Sequence, residues 1–430
     1  MNHKQLLKGL LTLAVLICTQ VNAWALNHNQ PLVQEDVVLQ WNRVLMETVL
    51  TPGQHPATIM QVRSYAMMHA AIFDAVNSVD GGHTPYLTDV PGSQNASIEA
   101  AAAQAAHDVL AALYPTRVAV FDAVLATSLQ GIDEYRAQQG IRVGQIVAER
   151  MLATRSNDGW TVTPPSFTLP ATPGNWQPTS SSGATFTHYP SVMPFAITSA
   201  YQFAPKPPPA LTSAQYAADL NEVKEIGSAS SATRTADQTQ VAQLWANVNT
   251  PTNFLLVWNN VARTVSDARS LTTVEKARLF ALTNIALHDA LQTTFASKFQ
   301  HGMWRPVTAI RRADEDGNAA TTADPTWTSL IAAPPYPSYA GNMAAIGTSQ
   351  ATILALFFGR DDIAFQHTWA GAGGATRSYA GFNAMADEQE RARVYGGIHF
   401  TFDNVAGQSV GRNVANYVFS NLMRPRQCVR

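Results

Sequence analysis

The chain is 430 residues long, 46% hydrophobic and only 13% charged, with 28 basic against 30 acidic side chains. That length holds one large domain or two ordinary ones, and a formal charge of -2 excludes nucleic-acid binding through bulk electrostatics. An apolar-rich, charge-poor composition excludes intrinsic disorder, and two cysteines cannot form a disulfide scaffold.

Residues 1–25 read as a signal peptide. Lys4 and Lys8 supply the positive start, Leu10 to Cys18 the short apolar run, and Ala23-Trp24-Ala25 a small-x-small cleavage site. That run is too short to span a bilayer as a helix. The expectation is an exported protein, periplasmic or secreted, with no membrane span once the leader is cleaved. Cleavage would leave Cys428 as the sole cysteine.

The remainder reads as all-α. Apolar residues recur at three- and four-residue spacings over 34–50, 58–79, 95–113, 117–128 and 131–155. The same pattern returns over 213–226, 234–247, 254–271, 273–296, 341–358, 376–395 and 404–423. No alternating run is long enough for a central sheet. Between the two sets, 11 of the 24 prolines fall from Pro164 to Pro209, mixed with serine, threonine and aromatic residues. The aromatic content predicts an ordered excursion draped over helices rather than a free linker. The domain reading is therefore an N-terminal helical bundle over 26–156, a connecting segment over 157–212, and a C-terminal bundle over 213–430. A helical dimer interface is compatible with this composition.

The halves share a weak internal echo. The stretch from Arg63 to Asp74-Ala75 aligns with that from Arg278 to Asp289-Ala290, with apolar residues matched between the fixed points. Alanine-rich helices can resemble one another by patterning alone; two bundles of related design is the sharper reading.

Three C-terminal segments carry polar residues that apolar helices would not otherwise hold. The first runs from Lys298 to Arg305-Pro306, the second from Pro334 to Met343, and the third from Arg393 through His399 to Asp403. Lys298, Arg305 and Arg393 can converge on a tetrahedral oxyanion, the arginines through bidentate bonds. Gly341-Asn342 at a helix start would offer backbone N–H groups to the same anion. His399 and Asp403 are four apart, so on one helical face the carboxylate would orient the imidazole. Singly, each feature has a plainer reading: a solvated Lys–Arg pair, a structural His–Asp bond, an ordinary turn. The occurrence of all three in order carries the functional reading.

Together these segments resemble the three-part signature of the vanadium-dependent haloperoxidase and type 2 phosphatidic-acid phosphatase superfamily. Lys298, Arg305 and Pro306 fit the lysine-x6-Arg-Pro element. Arg393, His399 and Asp403 fit the third, with Ala392 where the family has serine. Trp304 and Val307 to Arg311 look haloperoxidase-like, and similarity of style extends from Trp41 to Phe419. The second element departs from the pattern. Aligned without a gap, Ala340, Gly341, Asn342 and Met343 stand where the family has Pro-Ser-Gly-His, so the serine hydroxyl and the acid–base histidine are both missing.

The resemblance implies a two-bundle all-α fold with vanadate bonded to His399 and held by Lys298, Arg305, Arg393 and the Gly341-Asn342 backbone. Lys298 would polarise the peroxide. Hydrogen peroxide and a halide would then be the substrates. The alternatives are a phosphatase, with His399 attacking a phosphate ester and Asp403 holding its tautomer, or an oxyanion binder without turnover. His301 and the His288-Asp289 pair are substitute proton carriers to consider.

Overall fold

The computed structural model describes residues 35–54, 58–179, 181, 183–246, 254–370 and 373–426. The leader region, Cys18 and Cys428 lie outside them. From Val37 onward the chain packs as one compact unit.

The first group of helices is α1 (Val37–Leu50), α2 (Val62–Asp80), α3 (Ile98–Leu113), α4 (Val118–Ser128) and α5 (Glu134–Arg155). Their starts follow from local chemistry: Ser97 accepts from Ala100 N–H before α3, and Asp133 from Arg136 N–H before α5. α3 packs tightly on α5 because the contact is built from small residues. Gly140 and Gly144, four apart on α5, face Ala100, Ala101 and Ala105 of α3, and a Cβ at either glycine would lie within 2.7 Å of α3.

The second group is α6 (Ala214–Ile226), α7 (Ala236–Leu244), α8 (Phe254–Ala268), α9 (Thr273–His301), α10 (Pro306–Arg311), α11 (Asn342–Phe358), α12 (Phe382–Tyr395) and α13 (Thr401–Asn421). Buried from Lys276 to Lys298 on nearly every side, α9 is the central element. It contacts α2 of the first group and α11 and α13 of the second. α13 repeats the glycine device: Gly407 and Gly411 seat against the carbonyls of Gly341 and Ala345 at the start of α11.

The all-α expectation holds, with one local exception. Residues 376–379 fall in an antiparallel hairpin, β1 (Phe365–Trp369) with β2 (Ala375–Tyr379), rather than at the start of a helix. Phe365 and Tyr379 pair in register with their rings 5.4 Å apart, and Phe365 stacks on Phe382, so aromatic cross-strand packing outweighs the helical spacing.

The proline-rich segment is ordered and serves as a strap. Asp289 of α9 accepts the N–H groups of Phe195, Ala196 and Ile197, while Asp74 of α2 accepts those of Tyr86, Leu87 and Thr88. The two aspartates of the internal echo therefore do the same job, each holding three successive peptide N–H groups. Further along, Trp176 N–H donates to the Gly302 carbonyl and Trp304 N–H to that of Gly174, fixing the turn between α9 and α10.

Candidate functional site

The three polar segments meet where the C-terminal ends of α9 and α12 face the starts of α10, α11 and α13. Lys298 lies in the last turn of α9, which stops at Gly302 in a left-handed conformation that glycine adopts without strain. Arg305 is the N-cap of α10, with Pro306 at its first position. Arg393 occupies the last turn of α12, and Asp403 the first turn of α13, where a carboxylate suits the helix dipole.

The contacts bind the segments to one another. Lys298 Nζ donates to the carbonyls of Ser338 and Ala340, at 2.7 and 2.6 Å. Arg305 Nε donates to the Tyr336 carbonyl at 2.9 Å, and its Nη1 to the Ile398 carbonyl at 2.8 Å and His399 Nε2 at 3.1 Å. Arg393 Nη1 donates to the Trp245 carbonyl at 3.0 Å, so α7 closes one side. His399 Nδ1 lies 2.9 Å from Asp403 Oδ2. That oxygen also accepts from Phe400 N–H and the Ser338 hydroxyl.

These contacts assign the imidazole. Nδ1 faces a carboxylate that can only accept, so Nδ1 carries the hydrogen. Nε2 faces an arginine N–H and offers its lone pair. Burial, then the charges of Arg305, Lys298 and Arg393, hold the His399 pKa well below its ordinary value, which keeps the ring neutral.

Charge is unbalanced in the pocket. Three buried cations face one carboxylate, and Lys298, Arg305 and Arg393 are all nearly inaccessible to water. Burial pushes the two guanidinium pKa values down to about 10 and that of Lys298 well below its usual value, while Asp403 rises to about 6. Arg305 Nη2 and Arg393 Nε are buried with no hydrogen-bond partner among the described residues. A buried donor left unmade is costly, and an anion here would satisfy both nitrogens and relieve the repulsion among the cations.

Two expectations need correction. His399 precedes α13 instead of sharing a helical face with Asp403; the pair forms because the carboxylate reaches back over the helix start, as capping side chains do. Gly341 is the N-cap of α11 and Asn342 its first residue, as the turn-rich sequence predicts, but the Gly341 N–H already donates to the Asp403 carbonyl at 2.7 Å. Gly341 thus joins two walls of the site and has no N–H left for an anion.

The remaining residues are dispersed. Met343 is buried, its sulfur 3.9 Å from Gln389 Nε2 one turn before Arg393 on α12. His288 bonds Asp289 and packs between Phe195 and Tyr189. His301 sits edge-on to Tyr339. Neither histidine hydrogen-bonds to the cation cluster. The sequence did not single out Trp245, which takes part through its backbone carbonyl; Ser338, which a gapped alignment would set at the family's serine, takes part through both its carbonyl and its hydroxyl.

Residues 278–427 match the family model described as the VCPO second helical-bundle domain. A crystal structure of a bacterial vanadium-dependent iodoperoxidase superposes with a TM-score of 0.77 at 21% identity, covering 91% of this chain and 96% of that one. The chain has the vanadium haloperoxidase fold. A holo-type bacterial vanadium-dependent chloroperoxidase shares the haloperoxidase fold at a TM-score of 0.66 and 16% identity, covering 87% of this chain and 92% of that one. No curated protein sequence matches the chain. All three signature segments lie within the stretch matched to the haloperoxidase domain.

Proposed function

We propose that the chain is a haloperoxidase-type oxidoreductase that uses hydrogen peroxide to oxidise a halide at a bound vanadate. The supporting observation is the pair of unpartnered buried nitrogens, Arg305 Nη2 and Arg393 Nε, within a cluster of three cations and one carboxylate. Lys298, Arg305 and Arg393 would hold the oxygens of vanadate, and His399 Nε2 would be its ligand. Bound there, vanadate would supply a Lewis-acidic centre that activates peroxide toward halide. The chain's own groups perform defined tasks around it. Asp403 fixes the tautomer that leaves Nε2 bare, the cations spread the anion's charge, and burial keeps those interactions strong.

Position 343 limits the rate. General acid–base help is worth roughly 10²–10⁴-fold, and methionine supplies none, so turnover is expected to be slow. The same neutral imidazole facing a cationic pocket also suits attack on phosphorus, which makes phosphate-ester hydrolysis the second reading. The leader further leads us to propose an exported protein.

The deciding assay is iodide and bromide oxidation with peroxide, with and without added orthovanadate. Vanadate-dependent turnover is the expected result. Hydrolysis of an aryl phosphate without peroxide, inhibited by vanadate, would favour the second reading. Tight orthovanadate binding with neither activity would leave an oxyanion binder.

A further inference from the structure

Tyr336 lies against the cation cluster and is pinned on several sides. Its carbonyl accepts from Arg305 Nε. Its ring packs edge-to-face on Phe295, with centroids 5.1 Å apart, and against Phe186 at 6.3 Å. The same ring lies 5.4 Å from Lys298 Nζ and 5.1 Å from the Arg305 guanidinium carbon. Thr185 N–H of the proline-rich strap donates to the adjacent Pro335 carbonyl, which holds the loop from outside.

The hydroxyl is the one polar part of Tyr336 left over. It makes no hydrogen bond to any described residue, and the residue is half-buried. Its position is felt electrostatically at both Arg305 and Arg393, the two residues with unpartnered nitrogens. A phenol can accept from a cation with its lone pairs while donating its own hydrogen to an anion. Neither Met343 nor the committed N–H of Gly341 can make that donation.

We propose that Tyr336 is an anion-contact residue, donating its phenolic O–H to an oxygen of the oxyanion held by Lys298, Arg305 and Arg393. It would thereby provide the neutral donor that position 343 lacks. This rests on the oxyanion-site reading above. It adds to that reading a side-chain donor from the second polar segment.

Tyr336→Phe separates the hydroxyl from the ring, because the aromatic packing and the cation contacts remain. Orthophosphate is a suitable probe, being transparent where tyrosine absorbs. In the unsubstituted protein, titration with orthophosphate should perturb the near-ultraviolet tyrosine difference spectrum. In Tyr336→Phe that perturbation should vanish and affinity by calorimetry should fall about tenfold, the scale of one hydrogen bond to a charged group. Equal affinity and an unchanged difference spectrum in the variant would overturn the role of Tyr336 while leaving the oxyanion site intact. If the unsubstituted protein bound neither orthophosphate nor orthovanadate, the site reading and the role of Tyr336 would both fall.

Discussion

Met343 stands where a proton carrier is expected, and its surroundings make that position testable. The side chain is buried against Gln389, whose Oε1 accepts from the Trp258 indole at 2.7 Å. In Met343→His the Gln389 amide would be at hand to orient an imidazole, and methionine and histidine are close enough in length to exchange without a large void. Halide oxidation by this variant with orthovanadate should rise at least tenfold, the low end of proton-transfer catalysis. No gain, in a variant with unchanged melting temperature, would count against the ungapped alignment. Lys298, Arg305, Arg393 and His399 were legible in the sequence because charged side chains inside apolar helical patterns are costly and so conspicuous. Trp245 was not, since its carbonyl makes the contact and every residue type has a carbonyl.

Helix ends and the strap are the next scale. Asp289 and Asp74 each hold three successive peptide N–H groups, and Phe195 and Ile197 are buried at the Asp289 clamp. Asp289→Ala would strand these donors away from water. With hydrogen bonds to a charged group worth roughly 1.5–3 kcal/mol each and partial rehydration after the change, a loss of about 3 kcal/mol is expected. Denaturant unfolding measures that loss, and limited proteolysis should show new cutting near 193–200. A variant with unchanged stability would remove the clamp from the account. The echo between the two segments was readable as a pattern, but its meaning was not, because the partners of both aspartates lie in loops without periodicity. The hairpin was hidden for a related reason: its two short strands alternate weakly, and only cross-strand pairing shows why residues 376–379 leave the helical pattern.

For the molecule as a whole, two sets of buried groups pull the pH dependence of stability in opposite directions. Burial raises Glu390 to about 7, its Oε2 having no hydrogen-bond partner among the described residues, and Asp74 to about 6. A carboxyl raised on folding keeps its proton to higher pH in the native state than in the unfolded chain, so its contribution is full below the ordinary carboxyl range and is lost as pH climbs through the raised value. The buried His69 and His367, lowered to about 3 and about 4, act the other way, because the unfolded chain takes up protons that they refuse as pH falls below the ordinary imidazole value. Glu390 alone contributes at most about 3 kcal/mol between pH 8 and 5. Glu390→Gln imitates the protonated acid, so by thermal melting it should exceed the unsubstituted protein in stability at pH 8, with the advantage shrinking as pH falls toward 5. Superimposable profiles would rule out that source. At this scale the helical architecture was legible because twelve of the thirteen α-helices among the described residues, all but the short α10, keep their apolar spacing. The central place of α9 was not, because a helix apolar on every side does not say which neighbours it touches.

The glycine at 407 reaches further than its size suggests. A methyl group there would lie 2.0 Å from the Gly341 carbonyl oxygen, and Gly341 is the residue whose N–H joins the second polar segment to Asp403. In a random-mutagenesis screen for lost activity, then, inactive clones should include substitutions at 407, a position on the buried seam between two helices. Such clones would keep every charged residue of the pocket and fail through the spacing of its walls.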